Sequence, residues 1–130
     1  MTQHVHGAFE VKVTPQPHID GVGDPAVGRM ALDKQFHGDL DATSLGHMIA
    51  FRSAVDGSAG YVAMERVVGT LLGQHGTFVL QHSSSMTRGT PQQSITVVPD
   101  SGTDALVGLA GSMTITIVDK KHFYDFVFTL

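Results

Sequence analysis

The stretch GYVAMERVVGTLLGQHGTFVLQHSSSMT, Gly60 to Thr87, holds two runs of mostly apolar residues around a glycine-containing middle. Runs of this length and composition, bounded by a turn signal, predict two strands of a hairpin. Gly73-Gln74-His75-Gly76 supplies the turn. On that turn Leu71 stands opposite Phe78, Gly69 opposite Leu80, Val67 opposite His82, Glu65 opposite Ser84 and Ala63 opposite Met86. Directly opposed residues share a face of the sheet. The face carrying Leu71, Phe78, Leu80, Val67 and Met86 is the bulkier apolar one and is predicted to point inward. The other carries Arg66, Gln81, Ser83 and Ser85 among Val62, Met64, Val68 and Val79.

The same punctuation extends in both directions. Val, Ile and Thr together number 32 of 130 residues, and branching at Cβ favours the pleated backbone. Short runs separated by Gly, Asp and Pro predict eight strands, near 4–13, 27–38, 44–54, 60–72, 77–87, 93–98, 112–118 and 122–129. The best helical candidates are 47–55 and 103–109, and the second contains Gly108, which limits it to one turn. Pro15 to Pro25 reads as a long loop. Eight short strands in one 130-residue domain leave edges that invite pairing with other chains, and closing the sheet removes them. The expectation is an all-β, eight-stranded antiparallel barrel, with a two-sheet sandwich as the alternative. At the last hairpin, a turn at Lys120-Lys121 sets Ile117 opposite Tyr124, Ile115 opposite Phe126 and Met113 opposite Phe128. These six are predicted to be interior.

Composition excludes several classes. Only 15% of residues are charged and 42% are hydrophobic, which argues against disorder. A net charge of −4 with eight Lys plus Arg argues against nucleic-acid binding. No apolar run approaches the roughly 18 residues of a membrane span, and the first twenty residues lack the apolar core of a signal peptide. The absence of cysteine removes disulfides, thiolate metal sites and a Cys nucleophile, and a cytoplasmic location is expected.

Glu65 is one of two glutamates, and the hairpin register places it inside, diagonal to His82. A carboxylate among Leu, Val and Phe is costly unless paired, and the imidazole can pair it. Three roles follow from such a pair: a structural hydrogen bond, orientation of a ligand, or general acid–base work. Ser84 invites a nucleophile reading, but no Gly-x-Ser-x-Gly or comparable triad motif accompanies it. His4-Val5-His6 puts two imidazoles on one strand face, with His37 and His47 as further conceivable ligands. No third ligand is identifiable, so no metal is expected. His75 reads as a turn residue. Arg52 reads as a surface arginine or as one at the barrel mouth. Gly102-Thr103-Asp104 matches neither a P-loop nor a dinucleotide fingerprint, and no cofactor is expected.

Three motifs carry a family resemblance: FVLQH, VVPDSGT and GLAGSM, within the runs Gly57–Gly89 and Val97–Ile117, together with the ending HFYDFVFTL. They resemble a bacterial family known as domain of unknown function 3224. The resemblance implies a small antiparallel barrel similar to that of allene oxide cyclases. It implies no activity, because fold does not determine function. Two expectations remain. One is a lumen that binds a small, mainly apolar molecule through Phe78, Met86, Met113, Tyr124, Phe126 and Phe128, with Glu65 and His82 as convergent polar groups. If that lumen is catalytic, the chemistry is a cofactor-free isomerisation or hydrolysis. The other is a non-catalytic module acting through its outer apolar residues, with a two-fold homodimer as its simplest form.

Overall fold

Most of the Cβ-branched residues lie in eight strands. The computed structural model describes residues 1–130. The strands are β1 (Thr2–Pro15), β2 (Gly28–Phe36), β3 (Leu40–Arg52), β4 (Ala59–Leu71), β5 (Gln74–Thr87), β6 (Thr90–Val97), β7 (Ala110–Val118) and β8 (Lys121–Thr129). Each pairs antiparallel with its sequence neighbours, and β1 also pairs with β8, so the sheet closes as a barrel rather than a sandwich. The only other regular element is a single 3-10 turn, Asp104–Leu106, inside the segment 103–109 whose sequence permits one helical turn. The other helical candidate, 47–55, instead supplies the end of β3 and the loop after it. Residues 16–27, which include most of the expected loop, belong to no strand. No helix is long and apolar enough to cross a membrane.

Both hairpin registers differ from expectation, for one physical reason. A two-residue hairpin of type I′ needs positive φ at both central residues, and its backbone twist matches the flanking strands. Leu72 and Gly73 meet the requirement with φ of 49° and 79°, so they form the β4–β5 turn and Gln74–Gly76 belong to β5. Val67 therefore faces Phe78, Glu65 faces Leu80, Ala63 faces His82 and Tyr61 faces Ser84. Gly76 is small for packing rather than turning, since a Cβ there would overlap the Thr103 carbonyl and come within 3.0 Å of Leu106 Cγ. At the last hairpin Asp119 and Lys120 take φ of 50° and 66° and replace Lys120-Lys121 as the turn. Ile117 then faces His122, Ile115 faces Tyr124 and Met113 faces Phe126. Both slips are even-numbered, so every side chain keeps its predicted face.

Inside, the lumen is filled from one end. Phe78 stacks on Phe126 at a centroid distance of 5.9 Å, and Phe126 stacks on Phe128 at 5.0 Å. Phe36 meets Tyr124 edge to face, and Leu40, Leu71, Leu106 and Leu109 complete the same core. The Tyr124 hydroxyl donates to the His37 carbonyl at 2.7 Å and accepts from the Leu40 amide at 3.2 Å, tying β8 to the β2–β3 turn. The link between β6 and β7 covers the start of β5. Ser101 Oγ accepts the Val79 amide and Thr103 Oγ1 accepts the Thr77 amide, each at 3.0 Å.

The opposite end is open. β6 and β7 pair only at Ile95–Met113 and Thr96–Ser112. Above that point the strands part, and the Gln93 side chain replaces the ladder. Its carbonyl accepts the Ile115 amide at 2.7 Å, and its amide donates to the Ile115 carbonyl at 3.3 Å. Ile117, expected inside, stands at this rim and is 63% exposed.

Candidate functional site

Glu65 is buried on β4, at the middle of the barrel wall. Space for it comes from β3, where Gly46 is its register partner; a Cβ on Gly46 would lie 2.7 Å from Glu65 Cβ. Alternation along β2 sends Leu32, Lys34 and Phe36 inward together, which brings a lysine into the lumen. Ser44 of β3 is the register partner of Lys34. Three donors therefore converge on one carboxylate from three neighbouring strands. Lys34 Nζ donates to Oε2 at 2.7 Å, Ser44 Oγ donates to Oε1 at 2.7 Å, and His82 Nε2 lies 2.5 Å from Oε2. The side chains of Lys34, Glu65 and His82 are 6%, 0% and 3% exposed. The ammonium also sits 5.1 Å from the Phe9 ring centroid and 5.8 Å from that of Phe36, within cation–π range.

Burial alone pushes the Glu65 carboxyl upward. The His82 hydrogen bond and the Lys34 charge together outweigh it and bring the pKa from 4.5 down to about 2. Glu65 is thus a carboxylate at neutral pH and accepts only, so His82 donates to it from Nε2. With both oxygens engaged, Glu65 can orient and charge-balance its neighbours, and it has no proton to give near neutrality.

The open end holds a cleft of about 1020 Å³, lined among others by Arg52, Tyr61, Ser84, Met86, Gln93, Ile115 and Ile117. Glu65 and His82 do not line it. They lie below its floor: Tyr61 and Ser84 form one cross-strand pair, Ala63 and His82 the next, and Glu65 and Leu80 the one after. Ser84 Oγ is the one buried side-chain polar atom of the chain without a hydrogen-bond partner.

Of the residues expected to bind a ligand, Met86 lines the cleft and is 42% exposed. Phe78, Met113, Tyr124, Phe126 and Phe128 lie buried in the packed core. Arg52 is at the mouth. Lys34 and Ser44 were not anticipated. The signal for Lys34 was the alternation Leu32-x-Lys34-x-Phe36, and the signal for Ser44 was Leu40-x-Ala42-x-Ser44.

The matching family is described as a protein of unknown function, DUF3224, and it matches residues 5–128. The chain belongs to the DUF3224 family. A crystal structure of another DUF3224 protein, of unknown function and from Shewanella oneidensis MR-1, is 48% identical to it. The two superpose with a TM-score of 0.91 over 100% of this chain and 98% of that one, so the DUF3224 barrel is shared along its whole length. No curated protein matches this DUF3224 chain.

Proposed function

We propose that this chain binds a small, mainly apolar molecule in the open cleft, with Ser84 as its polar contact. The observation that carries the reading is the Ser84 hydroxyl, buried without a partner on a floor shared with Tyr61, Met86 and Ile115. An unsatisfied buried hydroxyl costs about 1–3 kcal/mol, which a ligand with one hydrogen-bonding group recovers. Apolar walls with a few fixed polar groups suit such a ligand. The Lys34–Glu65–His82 network supports the floor from beneath and fixes the His82 ring one step below Ser84. The allene oxide cyclase likeness enters only as an expectation of barrel shape. An isomerase or hydrolase step in the cleft would have to use Ser84, because Glu65 and His82 do not line it and both Glu65 oxygens are already engaged.

Titration with anilinonaphthalene sulfonate, whose sulfonate suits Arg52, tests the cleft. We expect fluorescence enhancement that Ile115→Trp abolishes and that Ser84→Ala weakens about tenfold, the worth of one hydrogen bond. Equal binding by all three proteins overturns the reading. Native mass spectrometry of freshly purified protein then reports any retained molecule.

A second reading, a two-fold homodimer, is favoured by the outer face of β3 and β4. Leu45, Ile49, Val62, Met64 and Val68 are all exposed there, and Ile49 pairs with Val62. A second copy related by a two-fold axis would set this stripe against itself. Sedimentation velocity should give a dimer that Val62→Lys dissociates; a monomer at high concentration overturns it.

A further inference from the structure

The outer wall where the first strand meets the last carries a second cluster, apart from the cleft. His4 and His6 sit two residues apart on β1 and so share its outer face. Closure of the barrel places β8 beside them. His6 is the register partner of Asp125, and His4 is that of Val127, so Asp125 lies directly across from one imidazole and diagonal to the other. His4 Nε2 is 3.1 Å from Asp125 Oδ1. One ligating atom from each of the three residues falls within 4.8 Å of the other two.

We propose that His4, His6 and Asp125 bind a divalent transition-metal cation of the zinc, nickel or copper class, and that the bound ion clamps β1 to β8. Bonds of about 2.0–2.2 Å to imidazole nitrogen and carboxylate oxygen place neighbouring ligand atoms roughly 3–3.5 Å apart. The His4–Asp125 separation already has that value. The other separations close by side-chain rotation, which is cheap because the His4 and Asp125 side chains are 56% and 47% exposed. Two imidazoles with one carboxylate select borderline cations over calcium or magnesium, which prefer all-oxygen shells. Three protein ligands leave one or more coordination positions open to water or an anion. The two strands are joined through the chain only by the whole length between them, so a metal bond across this seam links elements that no turn connects.

Isothermal titration of tag-free, chelator-treated protein with zinc chloride tests the site. We expect one zinc per chain, affinity lowered at least tenfold in both His6→Gln and Asp125→Asn, and no change in His47→Gln, an exposed histidine on β3. The thermal midpoint of the parent should rise with zinc, because an ion bound only by the closed seam stabilises the folded chain by mass action. That rise should vanish in His6→Gln and Asp125→Asn. No zinc uptake, or uptake that both variants retain within twofold, overturns the site. Site-dependent uptake with no rise in midpoint overturns the clamp. His6 and His47 are exposed and the Asp125 side chain is half-exposed, so the variants fold.

Discussion

Two seams of the same barrel are built on opposite plans. Between β4 and β5 the ladder runs unbroken from Ala59–Met86 to Leu71–Gln74. Between β6 and β7 it holds two pairs, and a glutamine side chain spans the gap above them. The continuous seam carries Glu65 and His82 and encloses charge. The short seam parts and forms one side of the cleft. The buried network and the cleft thus lie one above the other on the same inner wall, the first on the continuous seam and the second bounded on one side by the short one.

The largest expected effect attacks the continuous side. Glu65→Leu leaves the Lys34 ammonium buried with no counter-charge and should cost about 3–5 kcal/mol, measured by urea unfolding. Lys34→Met added to Glu65→Leu should recover most of that loss, because an apolar pair can replace a buried ion pair at little net cost. If the double variant stays as unstable as the single one, the network is holding the wall by shape rather than by charge.

Acid should produce the next effect. The Glu65 pKa falls from 4.5 to about 2 on folding, so the unfolded chain takes up the proton first as pH drops. The stabilisation is fully present above pH 4.5 and is lost as pH falls toward 2, a change of about 3 kcal/mol. Glu65→Gln should flatten that part of the stability–pH profile. An unchanged profile would assign the acid sensitivity to other carboxylates.

The smallest effect belongs to the short seam. Gln93→Ala removes both hydrogen bonds to Ile115 and should cost only about 1 kcal/mol globally, since the site is exposed. Amide exchange should nevertheless accelerate at Ile115 and leave the β4–β5 ladder unchanged. Equal acceleration along both seams would mean that they open as one unit.

The eight strands and their faces were legible because side-chain direction has a period of two. A slip of four at the central hairpin and of two at the last one left Glu65, His82, Phe78 and Phe126 on the inner wall. The registers were not legible, because glycines at 73 and 76 both mark turns, and only the positive φ at Leu72 selects between them. Lys34 was hidden by the ordinary rule that lysine faces water. It faces inward only because Glu65, far away in sequence, neutralises it. The cleft was illegible for a further reason. It lies between the β3–β4 connection and the diverging ends of β6 and β7, and nothing local in Pro91–Gln93 or Ile115–Ile117 records how far two strands stay together.

Pairing of β1 with β8 also sets the order of events during synthesis. Seven of the eight seams join neighbours in the chain and can form as hairpins while it emerges. The eighth, from Thr2–Thr129 to Phe9–His122, must wait until β8 has been made. Until then β1 and the newest strand each present an unpaired edge, and a ribosome-bound chain lacking Lys121–Thr129 should recruit a holdase chaperone more strongly than one that includes them.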